Sequence, residues 1–241
     1  MHALILAAGE GSRLRADGVQ VPKPFVEIGG RPLLVRLVET LRALGCESIT
    51  AAVRRSVLAA MALPPSAARA AGVRFVWCET PSSLHTLALA LEAVPPGPLV
   101  CTMVDSVMRD DDWQRLFARA DTSLREGADA CVAVTAHLDD ERPLWVARRP
   151  DGSVAAFGEA RVDPPLVTGG VYFLSSRIRE LAPRVLRLGI ARMRGFLGWL
   201  VVHGYRVETA EVERIVDLDR GQDIAAAAAW LGAPAPGSSL R

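Results

Sequence analysis

Residues 2–8, HALILAA, form an apolar run that stops at a glycine-bearing loop, Gly9-Glu10-Gly11-Ser12-Arg13. A run this short and this apolar suits a strand buried on both faces in a parallel sheet. That choice constrains the rest of the chain, because parallel strands need crossover connections and helices to cover the sheet.

The remaining sequence supplies both. PLLVRLVETLRALG (Pro32–Gly45) repeats Leu34, Leu37, Val38, Leu41 and Leu44 at helical spacing, with Pro32 placed to start a helix and Gly45 to end it. SITAAV, VRFVWCE, PLVCTMVD and DACVAVTA read as strands, separated by an Ala-rich helix ending before Gly72, by SSLHTLALALEAV and by DDDWQRLFARADTSLREG. LWVARRPDGSVAAFGEA then reads as a hairpin around Pro150-Asp151-Gly152. PLVTGGVYFLS is a strand interrupted by Gly169 and Gly170; helices follow across Ile178 to Val202, YRVETAEV is a strand, and DRGQDIAAAAAWLG is a closing helix. The expected fold is α/β: a Rossmann-like mixed, mainly parallel sheet flanked by helices, with a small β-hairpin insertion, in a single domain over residues 1–232. APAPGSSLR, residues 233–241, is expected to be disordered.

Charge narrows the function. With 28 basic and 27 acidic residues the net charge is +1, which offers no global field for nucleic acid or an anionic membrane surface. Apolar stretches such as Gly195 to Val202 are too short to span a bilayer. Cys46, Cys78, Cys101 and Cys131 are scattered without a CxxC, as expected of free thiols in a reducing cytoplasm. A homo-oligomer is left open as a partner of the chain.

Ligands of such sheets bind beyond the carboxyl ends of the strands, which puts residues 9–13 and Asp105 on one rim. A glycine loop there can bring successive N–H groups close to phosphate. It is neither a dinucleotide fingerprint, since Leu14 stands where a third small residue belongs, nor a P-loop, since Gly-Lys-Ser/Thr is absent. Lys23, stiffened between Pro22 and Pro24, adds a second cation to Arg13, and the two suit a triphosphate and a leaving pyrophosphate.

LILAAGEGSRL followed by PKPFVEIGGRPLL, Leu4 to Leu34, resembles the signature of the sugar-phosphate nucleotidyltransferases. The resemblance implies an NTP-binding α/β fold, attack of an acceptor phosphate on the NTP α-phosphorus with Mg²⁺ assistance, and release of pyrophosphate. It implies that Leu6, Ala7, Ala8, Gly9, Gly11 and Ser12 hold the nucleotide, with Arg13 and Lys23 catalytic. TPSSLHTLALAL stands where the family enters a helix beside the base, so Ser82, Ser83 and His85 are nucleotide-binding candidates; helix capping is the alternative for the two serines. Asp105, ending its strand in MVDS, matches the family's metal acid, and Asp219 in IVDLDRGQDI its partner, with Asp217 in reserve and Asp223 a helix cap. Asp110, Asp111 and Asp112 read as the first turn of a helix. On the acceptor side, Glu159 and Gly170 match, while Ala160 replaces a lysine and Thr168 an asparagine. Arg161 is then the candidate for the acceptor phosphate, and Gly169-Gly170 serves either close approach or a strand bulge. The compact form is similar to the choline-phosphate cytidylyltransferase and muramyl-phosphate uridylyltransferase branches. Substrates are accordingly expected to be an NTP, with CTP or UTP favoured, and a sugar 1-phosphate or small phosphorylated alcohol such as phosphocholine. The alternatives are a metal-dependent glycosyltransferase, whose acid-x-acid motif would come too late here at Asp217-Leu218-Asp219, and a non-catalytic nucleotide-sensing protein.

Overall fold

The computed structural model describes residues 1–55, 57, 72–138 and 142–232. Its first strand, β1 (His2–Ala7), sends Ala3, Ile5 and Ala7 into one core and Leu4 and Leu6 into another. This is the two-residue period of a pleated strand with both faces dry. A short helix, α1 (Ser12–Ala16), follows the glycine loop and is anchored by Leu14, which is buried. The position that lacks a third small residue is thus occupied by a core anchor. Next comes a hairpin, β2 (Glu27–Ile28) and β3 (Arg31–Pro32), whose turn residues Gly29 and Gly30 have φ of 59° and 74°. A two-residue turn with positive φ at both positions favours glycine at each.

Helix α2 (Leu33–Ala43) buries Leu34, Leu37, Val38 and Leu41. The chain continues through β4 (Ile49–Val53), β5 (Val73–Trp77), α3 (Ser83–Leu91), β6 (Leu99–Met103), β7 (Ser106–Val107), α4 (Asp110–Arg125) and β8 (Ala130–Thr135). It ends with β9 (Leu144–Arg148), β10 (Val154–Gly158), β11 (Val167–Leu174), α5 (Ile178–Arg187), α6 (Met193–Val202), β12 (Val207–Glu211), β13 (Val216–Asp217) and α7 (Gly221–Trp230). The Ala-rich helix expected before Gly72 and the tail from 233 fall outside the described residues.

The main sheet has nine strands along the path β10-β9-β11-β6-β1-β4-β5, with β8 beside β11 and β12 beside β8. Strands β5, β4, β1, β6, β8, β12 and β9 run one way, and only β11 and β10 run against them. Helices α2, α4 and α7 cover one face, and α3, α5 and α6 the other. The expected hairpin is present as β9 and β10. It joins the sheet edge, because Trp145 and Leu144 pair with Val167 and Thr168 of β11.

Strand β11 changes register against β8 between Thr168 and Tyr172. The glycines there are sterically required. A Cβ on Gly169 would lie 2.5 Å from the Ile215 side chain, and one on Gly170, at φ 75°, would lie 2.6 Å from Ser106 Oγ. The strand bulges here, and Gly170 also lines a cavity described below.

Candidate active site

The rim at the carboxyl ends of β1 and β6 carries the two acids singled out in the sequence, and a small ribbon brings them together. Strands β7 and β13 pair antiparallel, Val107 with Val216 and Ser106 with Asp217. The Leu218 N–H then donates to the Asp105 carbonyl at 3.2 Å. Residues more than a hundred positions apart are thereby placed side by side by their backbones.

Between the two carboxylates stands Lys23. Its ammonium donates to Asp105 Oδ2 and, at 2.7 Å, to Asp219 Oδ1. Arg13 Nη1 donates to the other Asp219 oxygen at 2.8 Å. Lys23 is held by a single 3-10 turn over Lys23–Phe25, in which the Phe25 N–H bonds to the Pro22 carbonyl at 2.8 Å and Pro24 is buried. Burial by itself would lower the Lys23 pKa, but Asp105 and Asp219 outweigh it and hold the ammonium well above its usual value. Burial likewise pushes Asp219 up, and Lys23 and Arg13 more than reverse it, so its carboxyl sits below the usual range.

Around this cluster lies a cleft of about 690 Å³, a size suited to a small-molecule ligand. Its walls include Leu6, Ala7, Ala8, Gly9, Gly11, Ser12, Arg13 and Lys23, together with Ser82, Ser83, Asp105 and Asp219. Gly11 sits at φ 60°, where a side chain would be strained, and a Cβ there would lie 3.6 Å from Lys23 Cβ. A second cavity of about 500 Å³ adjoins the first and shares Arg13, Ser82, Ser83, Asp105 and Asp219 with it. Glu159, Thr168 and Gly170 line this second space, as does Asp217, whose carboxylate accepts from Ser106 Oγ at 3.3 Å.

Two sequence candidates lie apart from these walls. Arg161 is exposed and stacks over Trp145 with its guanidinium 5.9 Å from the ring centroid, away from the second cavity. The chain turns outward after β10, and the aromatic face takes the cation. His85 points to Ser82, its Nδ1 2.8 Å from that hydroxyl, and lines neither cavity. The serines do line both cavities, but their hydroxyls do not cap α3. Ser82 Oγ donates to the Ala191 carbonyl, and Ser83 Oγ accepts from the Met193 N–H at 3.1 Å. They fasten α3 to the start of α6. Asp223, by contrast, caps α7 as expected, accepting from the Arg220 and Asp219 N–H groups at 2.6 and 3.0 Å. The acids Asp110, Asp111 and Asp112 do open α4, yet Asp112 is buried and bonds Arg115 and the Glu213 N–H.

Sequence reasoning missed Arg54. Standing just past β4, it donates from Nε to the Ala8 carbonyl at 2.9 Å and reaches Glu10 at 3.1 Å, so it braces the glycine loop from the side. It also missed Arg142, Arg192 and Arg194, which line the second cavity. Arg54, Arg142 and Arg192 stand outside the regular elements and Arg194 in the first turn of α6, where a lone arginine carries no periodic signal, and none of these matches a motif position.

The chain is also similar to known proteins. Residues 3–197 match the family model of the MobA-like NTP transferase domain. The chain belongs to that family. It is a nucleotidyltransferase by family, and its fold is that of two solved transferases. One is the inositol-1-phosphate CTP transferase from T. maritima, with TM-score 0.78 and 16% identity over 99% of this chain and 98% of that one. The other is described as a glucose-1-phosphate thymidylyltransferase from Bacillus anthracis, with TM-score 0.78 and 18% identity over 96% of this chain and 95% of that one. Mannose-1-phosphate guanyltransferases of Aspergillus oryzae and Aspergillus fumigatus are 49% identical over 53 residues. Those matches span 22% of this transferase and 15% of each relative. Among the described residues no helix is long and apolar enough to cross a membrane.

Proposed function

We propose that the chain joins an NTP to a phosphorylated small-molecule acceptor and releases pyrophosphate, giving an NDP-sugar or a CDP-alcohol. The observation that carries this reading is the meeting of Asp105, Asp219, Lys23 and Arg13 at the mouth of a glycine-loop cleft. The glycine loop faces the triphosphate with backbone N–H groups, and the adjoining cavity takes the acceptor. An oxygen of the acceptor phosphate attacks the α-phosphorus. The bond from that phosphorus to the bridging oxygen breaks, and pyrophosphate leaves with the electron pair. The attacking phosphate is already ionised, so no general base is required. Lys23 faces the α-phosphoryl group and Arg13 the leaving pyrophosphate, where charge develops.

The donor set fits a divalent cation: two carboxylates already converge on one positive charge, and oxygen ligands suit Mg²⁺. Asp105 and Asp219 would hold it, with Asp217 turned to the acceptor side. The ion would neutralise phosphate oxygens. The comparisons name several bases and acceptors, and we favour CTP or UTP; the inositol-1-phosphate CTP transferase shares this fold over 99% of the chain. The unpaired thiols suit a cytoplasmic setting. The test is a pyrophosphate-release screen crossing ATP, GTP, CTP, UTP and dTTP with sugar phosphates, phosphocholine and polyol phosphates. At least one pair should turn over. Release of a nucleoside diphosphate in place of pyrophosphate would point to glycosyl transfer, and NTP binding without turnover of any pair would point to a sensor.

A further inference from the structure

Lys23 is the only lysine among the chain's 28 basic residues. It stands where the two acids assigned above to Mg²⁺ meet. Its ammonium donates to Asp105 Oδ2 and, at 2.7 Å, to Asp219 Oδ1, while Arg13 takes Asp219 Oδ2 at 2.8 Å. Three of the four carboxylate oxygens thus already serve a cation. A divalent ion on the same oxygens would share them with the ammonium, and like charges at that range repel strongly.

The carboxylates also make too small a ligand set by themselves. Among the described residues no group of three or more His, Cys, Asp or Glu side chains could hold a metal ion. Mg²⁺ is usually held by one or two carboxylates together with substrate phosphates. Phosphate is equally what the ammonium needs as a new partner. The main chain at Lys23 is fixed, with the Phe25 N–H bonded to the Pro22 carbonyl at 2.8 Å and Pro24 buried, so the side chain is the part that can turn. The glycine loop lies against it: a Cβ on Gly11 would be 3.6 Å from Lys23 Cβ, and both residues line the first cleft. A phosphate held by the loop N–H groups is therefore within reach of the ammonium. The residue type fits such a transfer. An ammonium on a flexible stem can leave one set of oxygens for another, whereas an arginine fork would grip a carboxylate through two bonds.

We propose that Lys23 is a placeholder for the metal: it keeps a free divalent ion off Asp105 and Asp219, and it yields them when nucleotide phosphate takes its ammonium. Metal and NTP then enter together, each tightening the other by the same factor. The proposal rests on the nucleotidyl-transfer reading above and on its metal assignment.

The experiment adds Mn²⁺ alone to the full chain without nucleotide and counts the free ion by EPR. Lys23→Met should bind Mn²⁺ about tenfold or more tighter than wild type, within the usual span of such couplings, and adding Asp219→Asn should abolish the gain. Lys23→Arg, which keeps the charge, should stay as weak as wild type. Equal Mn²⁺ affinity in wild type and Lys23→Met overturns the proposal. Should Lys23→Met fail to fold, the wild type decides through its one lysine, because ¹⁵N-lysine labelling gives a single side-chain ammonium resonance. That resonance should hold its position in Mg²⁺ alone and shift when Mg²⁺ is added with an NTP from the screen. A shift in Mg²⁺ alone overturns the placeholder, as does a fixed resonance with an NTP that turns over; both leave the transferase reading intact. No shift and no pyrophosphate with any of the five NTPs overturns both.

Discussion

Replacing Lys23 by alanine separates the chemistry of the site from its stability. The side chain is 10% exposed and bridges acids that are 18% and 41% exposed. Removing one partner of a fully buried pair costs about 3–5 kcal/mol, but Asp219 keeps Arg13 and both acids keep some solvent, so the loss here should be about 1–2 kcal/mol. For a domain of this size that lowers Tm by roughly 2–8 °C. The loss depends on pH in a defined direction. Asp219 is depressed in the fold, so its contribution is present above the unfolded carboxyl value of about 4 and vanishes as pH falls through the lower folded value. Lys23 is raised, so its contribution is present below about pH 10 and is lost only as pH rises through its higher folded value. The gap in stability between wild type and variant should therefore stay flat from about pH 5 to pH 9 and close below about pH 4. Turnover should drop much further than stability. Loss of one preorganised donor to a developing oxyanion costs about 10²–10³ in kcat. Stopped pyrophosphate assays at saturating NTP, run beside urea titrations, read both. A folded Lys23→Ala protein with kcat within a factor of about three of wild type would remove Lys23 from the mechanism.

Arg54→Ala frees the Ala8 carbonyl and Glu10, and the KM for NTP should rise about five- to tenfold with kcat little changed, as expected for a part-exposed charged hydrogen bond of about 1 kcal/mol; an unchanged KM would show that the glycine loop holds its shape unaided. Gly170→Ala combines a positive φ with a clash at Ser106 Oγ, and it should cost about 2–4 kcal/mol, seen as a fall in Tm of roughly 5–15 °C; a shift under about 2 °C would mean that β11 rearranges freely. Burial pushes the Cys101 and Cys131 thiols up to about 12 and Cys46 to about 11. A thiol reagent at pH 8 should therefore label the native protein slowly and, at first, through half-buried Cys46, with all four thiols reacting in denaturant; rapid labelling of Cys101 or Cys131 would contradict the packing of the sheet.

The order of strands and helices was legible because each long element carries a period, as α2 does in Leu34, Leu37, Val38 and Leu41. Asp105 was legible because it closely follows a strand, and Lys23 because two prolines frame it. What joins them was hidden. The β7–β13 ribbon has two residues on each side, too few to show an alternation, yet it brings the segments that carry Asp105 and Asp219 together. The sequence offers Ser82 and Ser83 as nucleotide contacts or helix caps, whereas their hydroxyls reach Ala191 and Met193, over a hundred positions away. Arg161 was chosen by nearness in sequence to a motif slot, and the outward turn after β10 moved it to Trp145. Arg142, far from Arg194 in sequence, meets it through the bond from Arg194 Nη2 to the Arg142 carbonyl.

The links from Arg13 and Lys23 to Asp219 close loops of 206 and 196 residues. A chain still emerging from the ribosome can make its glycine loop, its lysine turn and the strand that leads to Asp105 long before Asp219 has been made. Until that late segment threads back beside Asp105, Lys23 faces one acid, and on the mechanism proposed above a half-made chain lacks its second carboxylate.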